Sequence, residues 1–330
     1  GAIALAPDAD PALKAAAQQC GGATVVHHAL TAPLAVAQAL GGGLLRHQRS
    51  AAVVGSAGLC AAGEVLGAAG PFSAYQSPAL LIESLARREL GLCPDSRPLL
   101  AGLGRLPILE VGAADELAPL THLALRLAER TGLPLALRVP SRALAPAPQG
   151  RRALSEPPGP LSGAPSFAGE DGPFVTSSLL ARYHEDLRER RLAALAPVAA
   201  ALCARTAGTA AGRRRGVVLA GHLGPGAQAR AAQAGVATLR LGMAWPLPEK
   251  ELLAFLGGVD EALVLEEGEP FLLEKLQALC ARAGVAARLK APEGLRARGG
   301  ISDAELDRVL GPTRVFDVPP AYDQIGRAHV

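Results

Sequence analysis

Short apolar runs alternate along the chain with stretches whose apolar residues recur at helical spacing. Through the first half the pattern predicts strands over 3–6, 24–28, 51–54, 79–82, 107–111 and 134–139. Helices are expected between them, over 11–19, 34–45, 58–67 and 115–130. That alternation is the βαβ rhythm of a parallel sheet. The strand runs are apolar on both faces, as they must be when helices cover both sides of a sheet. Thr131-Gly132 closes the helix over 115–130, because Gly132 tolerates the left-handed backbone of a helix end and Pro134 cannot extend the helix.

Residues 146–173 are rich in Pro, Gly and Ser with few apolar anchors, and read as a linker. A charged helix is expected over 179–202, with Leu180, Tyr183, Leu187 and Leu192 as an apolar stripe beside the exposed run Arg188-Glu189-Arg190-Arg191. A second series follows from Gly216, with strands over 217–220, 237–241, 262–265 and 286–289 and helices over 248–256 and 271–283. The chain is therefore expected to be α/β, with two doubly wound, mainly parallel-sheet domains at 1–145 and 216–322. A linker and connecting helix at 146–215 join them. The last residues, D-Q-I-G-R-A-H-V at 323–330, read as a non-native tail resembling a translated sequencing adapter, so truncation is expected; the start at Gly1 points to missing upstream sequence.

Hydrophobic residues make up 49% of the chain and charged residues 19%, a balance that suits a globular chain rather than a disordered one. Aromatics are only 3%, so the core must be built from Ala, Leu and Val. The net charge of +3 is small, and the basic run Arg213-Arg214-Arg215 has no aromatic partners, which argues against nucleic acid. Cys20, Cys60, Cys93, Cys203 and Cys280 are dispersed with no C-x-x-C, so neither a zinc knuckle nor a cluster-binding run is present. No apolar stretch is long enough to span a bilayer and no signal peptide is evident, so a cytoplasmic protein without membrane partners is expected.

Several local patterns invite chemistry. The cluster from Gly221 to Gly226 follows a strand and precedes a helix, where phosphates bind, but its spacing is G-x-x-G-x-G and a plain tight turn explains it. Glu266-Glu267 follow a strand; adjacent strand residues point to opposite faces, so a helix-facing or exposed acidic turn is the simpler reading than an acid–base pair. His27-His28 point opposite ways for the same reason, one expected in the core and one near the sheet edge, and no H-x-x-x-H supports a metal. Ser56 directly follows Gly55, which is not the G-x-S-x-G of a nucleophile elbow.

The segments L-R-L-G-M-A-W-P-L-P-E-K at 239–250 and V-L-E-E-G-E-P-F at 264–271 carry a more specific signal. They resemble the second domain of the indolepyruvate ferredoxin oxidoreductase alpha subunits, which read L-K-L-G-x-x-Y-P-L-P-E-K and then V-V-E-E-x-E-P-F. The resemblance extends to Pro94-Asp95-Ser96-Arg97, to 106–110 and to 133–142, where the family has E-Q-D-S-R and D-L-P-V-L-L-R-x-T-T-R, and so covers most of the chain. It implies a thiamine pyrimidine-type domain at 1–145 and a transketolase C-terminal-like domain at 216–322.

The activity implied is oxidative decarboxylation of indolepyruvate or another arylpyruvate to an acyl-CoA. Thiamine diphosphate, magnesium and iron-sulfur clusters are the implied cofactors, and a beta subunit, ferredoxin, CoA and the 2-oxoacid the implied partners. In that family a glutamate of the pyrimidine domain hydrogen-bonds the cofactor's aminopyrimidine ring. Aligning Thr31-Ala32-Pro33-Leu34-Ala35 on the family's N-E-K-V-A puts Ala32 at that position. The P-G-T-P turn reads Pro7-Asp8-Ala9-Asp10, and K-H-V-G-L-N reads Gly55 to Cys60. The G-D-G motif for the magnesium diphosphate and the C-x-x-C-x-x-C cluster run are not in this sequence; in the family they belong to later domains. The polar candidates for a cofactor site are Asp8, Asp10, Ser56, Cys60 and Ser96, expected near the carboxyl ends of the first sheet. The alternative implied by Ala32 is a catalytically silent homologue that keeps the scaffold for subunit assembly.

Overall fold

The computed structural model describes residues 1–20, 24–46, 49–72, 79–85, 95–144, 190–208, 214–292, 301 and 303–310. The linker expected over 146–173, the first part of the expected 179–202 helix and the tail at 323–330 lie outside the described residues.

In chain order, β1 (Ala2–Leu5), α1 (Pro11–Gln18), β2 (Val25–His28), α2 (Ala32–Arg46) and β3 (Ser50–Gly55) open the fold. Two helices, α3 (Ser56–Ala61) and α4 (Gly63–Phe72), occupy the stretch where one was expected, and lead to β4 (Ala79–Leu85). Then come β5 (Ile108–Glu110), α5 (Ala114–Thr131), β6 (Leu135–Pro140) and α6 (Ala196–Ala201). The remainder comprises β7 (Cys203–Thr206), β8 (Arg215–Ala220), α7 (Gly224–Gln233), β9 (Ala237–Leu241), β10 (Met243–Trp245), α8 (Glu249–Leu256), β11 (Glu261–Leu265), α9 (Phe271–Ala283), β12 (Arg288–Lys290) and α10 (Asp303–Leu310).

These elements form two compact units, each around its own sheet. The first unit holds β1 to β6, α1 to α6 and, by a later return of the chain, β10. Its seven strands run in the order β10-β5-β6-β4-β3-β1-β2, parallel except for β10, which pairs antiparallel with β5. The second unit's five strands run β12-β11-β8-β9-β7, with β7 antiparallel to β9 and the others parallel. Two α/β units with mainly parallel sheets are what the apolar rhythm predicts.

The local reasons are visible in the caps. Asp10 precedes α1 and accepts the Ala12 N–H at 2.8 Å, with Pro11 at the first helical position. Glu116, in the first turn of α5, reaches back to the Gly112 N–H at 3.0 Å, while Arg130 stands in the last turn. Gly132 ends that helix at φ 64°, the left-handed residue its position calls for.

The first core packs Leu5, Val53, Leu80, Leu109 and Leu137 from the sheet against Leu127 of α5. Leu195 and Val198, from the helical turns after 190, join the same core, and Arg191, expected on an exposed run, is buried there. The second core gathers Val217, Leu219, Leu263 and Leu265 with Leu306 and Val309 of α10. β2 closes one edge of the first sheet, and both His27 and His28 are exposed on it. The expectation that one of them enters the core fails because an edge strand here has little cover on either side. Among the described residues no helix is long and apolar enough to cross a membrane.

Candidate functional site

The chain steps from β1 outward to β2 and then back across β1 to β3. Successive connections thus diverge at the β1/β3 gap, and in open α/β sheets ligands bind outside the carboxyl ends of the strands at such a switch point. Three segments converge there: the loop after β1, the start of α2 after β2, and the start of α3 after β3.

Asp8 sits on the first of these. Its Oδ2 accepts the Gly58 N–H at 2.8 Å, and its side chain is exposed. Glycine is required opposite it: a Cβ on Gly55 would lie 2.6 Å from both the Asp8 carbonyl oxygen and its Oδ2, and a Cβ on Gly58 would collide with Asp8 Oδ2 and Ala32 Cβ. Asp10 anchors the far end of the loop, since its backbone N–H donates to Ser84 Oγ at 3.1 Å while Ser84 donates to the Val54 carbonyl at 3.1 Å. Ser84 therefore ties the β1 loop to β3 and β4. Composition pointed past it, because the apolar run of β4 ends before Glu83-Ser84. Ser56 is buried at the first position of α3, and Cys60 stands one helical turn further on, half-buried.

Ser96 is placed differently. It is fully buried, and its hydroxyl donates to Glu83 Oε2 at 2.6 Å. Glu83 is one member of a charged row, with Arg138 opposite both Glu83 of β4 and Glu110 of β5 in the parallel register. The Arg138 guanidinium reaches Glu83 at 2.9 Å, Glu110 at 2.6 Å and Asp95 at 3.4 Å, and Asp95 also pairs with Arg97 at 2.5 Å. Burial pushes the Asp95 carboxyl up, but Arg97 and Arg138 together outweigh burial and hold it at about 2. Burial alone favours neutral Arg138, yet Glu83, Asp95 and Glu110 overcome it and keep the guanidinium charged. Asp95, Ser96 and Arg97, Glu110, and Arg138, from three stretches singled out by resemblance, thus meet in one buried ionic network. Asp8, Asp10, Ser56 and Cys60 gather at the switch point, and Ser96 is committed to that network.

In the second unit the acidic motif builds the fold. Glu266 is buried and accepts the Leu272 N–H at 2.8 Å and the Leu273 N–H at 3.0 Å at the start of α9, the helix-facing role expected of it. Glu267 accepts the Ile301 N–H at 3.0 Å, and its own N–H donates to the buried His222 Nε2 at 3.4 Å. Gly224 turns the chain into α7 at φ 78°, so the glycine cluster is a tight turn. The Cys203 thiol is pushed up to about 12 by burial, with Glu251 adding to the effect, which makes it a poor nucleophile. Among the described residues no group of three or more His, Cys, Asp or Glu is placed to hold a metal ion.

A cavity of about 530 Å³ opens in the first unit between α1, α5 and the sheet, lined by Ile3, Leu13, Val53, Leu80, Ile82 and Leu125 among others. Its lining is almost wholly apolar, and it carries no acid–base chemistry of its own.

No protein-family description matches the sequence, and no curated relative matches it. Solved structures do. A 2-oxoglutarate:ferredoxin oxidoreductase from Magnetococcus marinus, solved with 2-oxoglutarate, coenzyme A and succinyl-CoA bound, matches with a TM-score of 0.62 and 19% identity. The match covers 88% of this chain and 58% of that one, so this chain spans little more than half of the oxidoreductase chain's length. A split-gene transketolase, an inactive beta4 tetramer, matches with a TM-score of 0.53 and 11% identity over 95% of this chain and 93% of that one. The fold is transketolase-like. Identities this low carry the fold alone.

Proposed function

We propose that this chain is the thiamine-side part of a 2-oxoacid:ferredoxin oxidoreductase, with domains at 1–145 and 216–322. The observation that carries the reading is the 88% overlap of its fold with the 2-oxoglutarate oxidoreductase. The segments at 239–250 and 264–271 add support for the indolepyruvate branch, and hence for an arylpyruvate substrate.

On this reading the ring end of thiamine diphosphate lies at the β1/β3 switch point, outside the carboxyl ends of the strands. Asp8 packs over the backbone of Gly55 and Gly58 and presents an exposed carboxylate there. Among the described residues no group of three or more His, Cys, Asp or Glu comes together for the magnesium of the diphosphate end. On this reading that end, and the iron-sulfur clusters, are held by further domains of the full-length protein. When bound, thiamine supplies the electron sink for decarboxylation. The chain's own residues shape the crevice, orient the ring and exchange protons with it. Overall, one 2-oxoacid, one CoA and two oxidised ferredoxins give acyl-CoA, carbon dioxide, a proton and two reduced ferredoxins. A beta subunit completes the assembly, and the site of action is the cytoplasm.

A silent scaffold is the second reading, and Ala32 is the observation that favours it. The test is thiamine-dependent, CoA-dependent reduction of ferredoxin by the full-length protein with its partner subunit, with indolepyruvate and 2-oxoglutarate compared. Turnover with indolepyruvate supports the proposal in full. Cofactor binding without turnover on any 2-oxoacid would favour the scaffold, and failure to bind thiamine diphosphate would overturn both the chemistry and the site.

A further inference from the structure

Ala32 begins α2 and is almost fully buried, at 6% exposure, with its methyl group and Asp8 Oδ2 both beside the point a Cβ on Gly58 would take. A Cβ at Gly58 would strike Asp8 Oδ2 on one side and Ala32 Cβ on the other, so the carboxylate and the methyl lie side by side over one stretch of backbone. A longer acidic side chain at position 32 would enter the space that Asp8 already fills, and would set two negative charges against each other. The small residues at 32, 55 and 58 and the carboxylate at 8 are therefore one arrangement. Gly58 N–H holds Oδ2, and among the described residues nothing hydrogen-bonds Oδ1. An exposed carboxylate with one oxygen fixed and the other open, at the switch point of the sheet, has the form of a ligand-facing acid–base group.

We propose that Asp8 supplies the carboxyl group that position 32 lacks, so that the acid–base contact to the aminopyrimidine ring has moved from the start of α2 to the loop after β1. The proposal rests on the thiamine reading above. Asp8 shares a proton with a ring nitrogen through Oδ1, while the Gly58 N–H keeps the carboxyl oriented through Oδ2. Asp10, the other acidic residue on this loop, is committed to the fold through Oδ1, which accepts the Ala12 N–H at 2.8 Å as the cap of α1.

The experiment uses the full-length protein assembled with its partner subunit, in three forms: unaltered, Asp8→Asn, and Asp8→Asn with Ala32→Glu. Asparagine keeps an oxygen for the Gly58 N–H, so folding is retained. Thiamine diphosphate binding is measured by calorimetry, and exchange of the cofactor's thiazolium C2 hydrogen for deuterium by NMR after an acid quench. Asp8→Asn is expected to bind the cofactor within about threefold of the unaltered protein while exchange slows by ~10²–10⁴-fold, the range for loss of a positioned acid–base group. The double variant is expected to recover part of that exchange, because the neutral amide at position 8 no longer repels a carboxylate at position 32. Exchange at the unaltered rate in Asp8→Asn, with cofactor bound, would overturn the assignment to Asp8 and leave the thiamine reading standing. Absence of cofactor binding in all three forms would overturn both.

Discussion

Glu83, Glu110 and Arg138 stand in one row across β4, β5 and β6 with no more than 2% exposure, whereas Asp8, on the loop after β1 of the same sheet, is exposed. The buried row is paired mainly within itself: its carboxylates share the guanidinium of Arg138, Ser96 donates to Glu83, and Asp95 bridges Arg138 to Arg97, with Glu83 Oε1 buried and without a hydrogen bond among the described residues. Among the described residues Asp8 has a single backbone donor and an open oxygen. Charges taken out of water must satisfy one another, and so become part of the scaffold. A charge left at the rim of a sheet stays available for a ligand. The same sheet thus holds acidic groups of both kinds, and sequence proximity does not tell them apart, since Asp8 and Ser96 look equally polar in the chain.

The comparison can be broken most severely at Arg138. Arg138→Met leaves Glu83, Glu110 and Asp95 buried without their shared cation, and should cost about 3–5 kcal/mol in urea unfolding, or prevent folding. A loss under about 1 kcal/mol would mean that the row is not the structural unit described, because water or relaxation would then be replacing the guanidinium.

A smaller effect follows from pH. Asp95 has its carboxyl lowered from an ordinary value near 3.8 to about 2, so its contribution is fully present above about pH 4 and is lost as pH falls toward 2. The contribution is on the order of 2 kcal/mol, read as the fall in urea-unfolding free energy between pH 4 and pH 2. Asp8→Asn should leave that acid dependence in place. A stability flat across this window would show that Asp95 is not held ionised by Arg97 and Arg138.

Much of the architecture was legible because the inner β-runs of the first sheet are mainly apolar on both faces, a pattern that a helix-covered parallel strand needs. β7 and β10 were not: they are four and three residues long, and they exist by antiparallel pairing with β9 and β5, far away in sequence. Arg138 and Glu110 read as interruptions of apolar strands, and only the register that puts them side by side turns them into a pair. Arg191 was expected in solvent because it lies in a run of charges, yet the helical turns after 190 carry Leu195 and Val198 into the first core and take it with them. At the crevice, Asp8 and Ala32 could each be singled out from the chain. Their adjacency, 24 positions apart, depends on α2 and α3 starting beside the same loop, which no local pattern encodes.

The smallest effect sharpens the contrast. Asp8 is exposed and its one hydrogen bond is to a backbone N–H that asparagine's oxygen also serves, so Asp8→Asn should change unfolding free energy by less than about 1 kcal/mol. Were Asp8 chiefly a cap for the short helix α3, loss of its charge would weaken a charge-assisted bond and the cost would rise above about 1.5 kcal/mol. Urea unfolding of Asp8→Asn beside Arg138→Met therefore measures how far the two acidic groups differ in what they do for the fold. A near-zero value for the first and a large one for the second would mean that Asp8 is kept for something other than stability, which is the condition its assignment as an acid–base group requires.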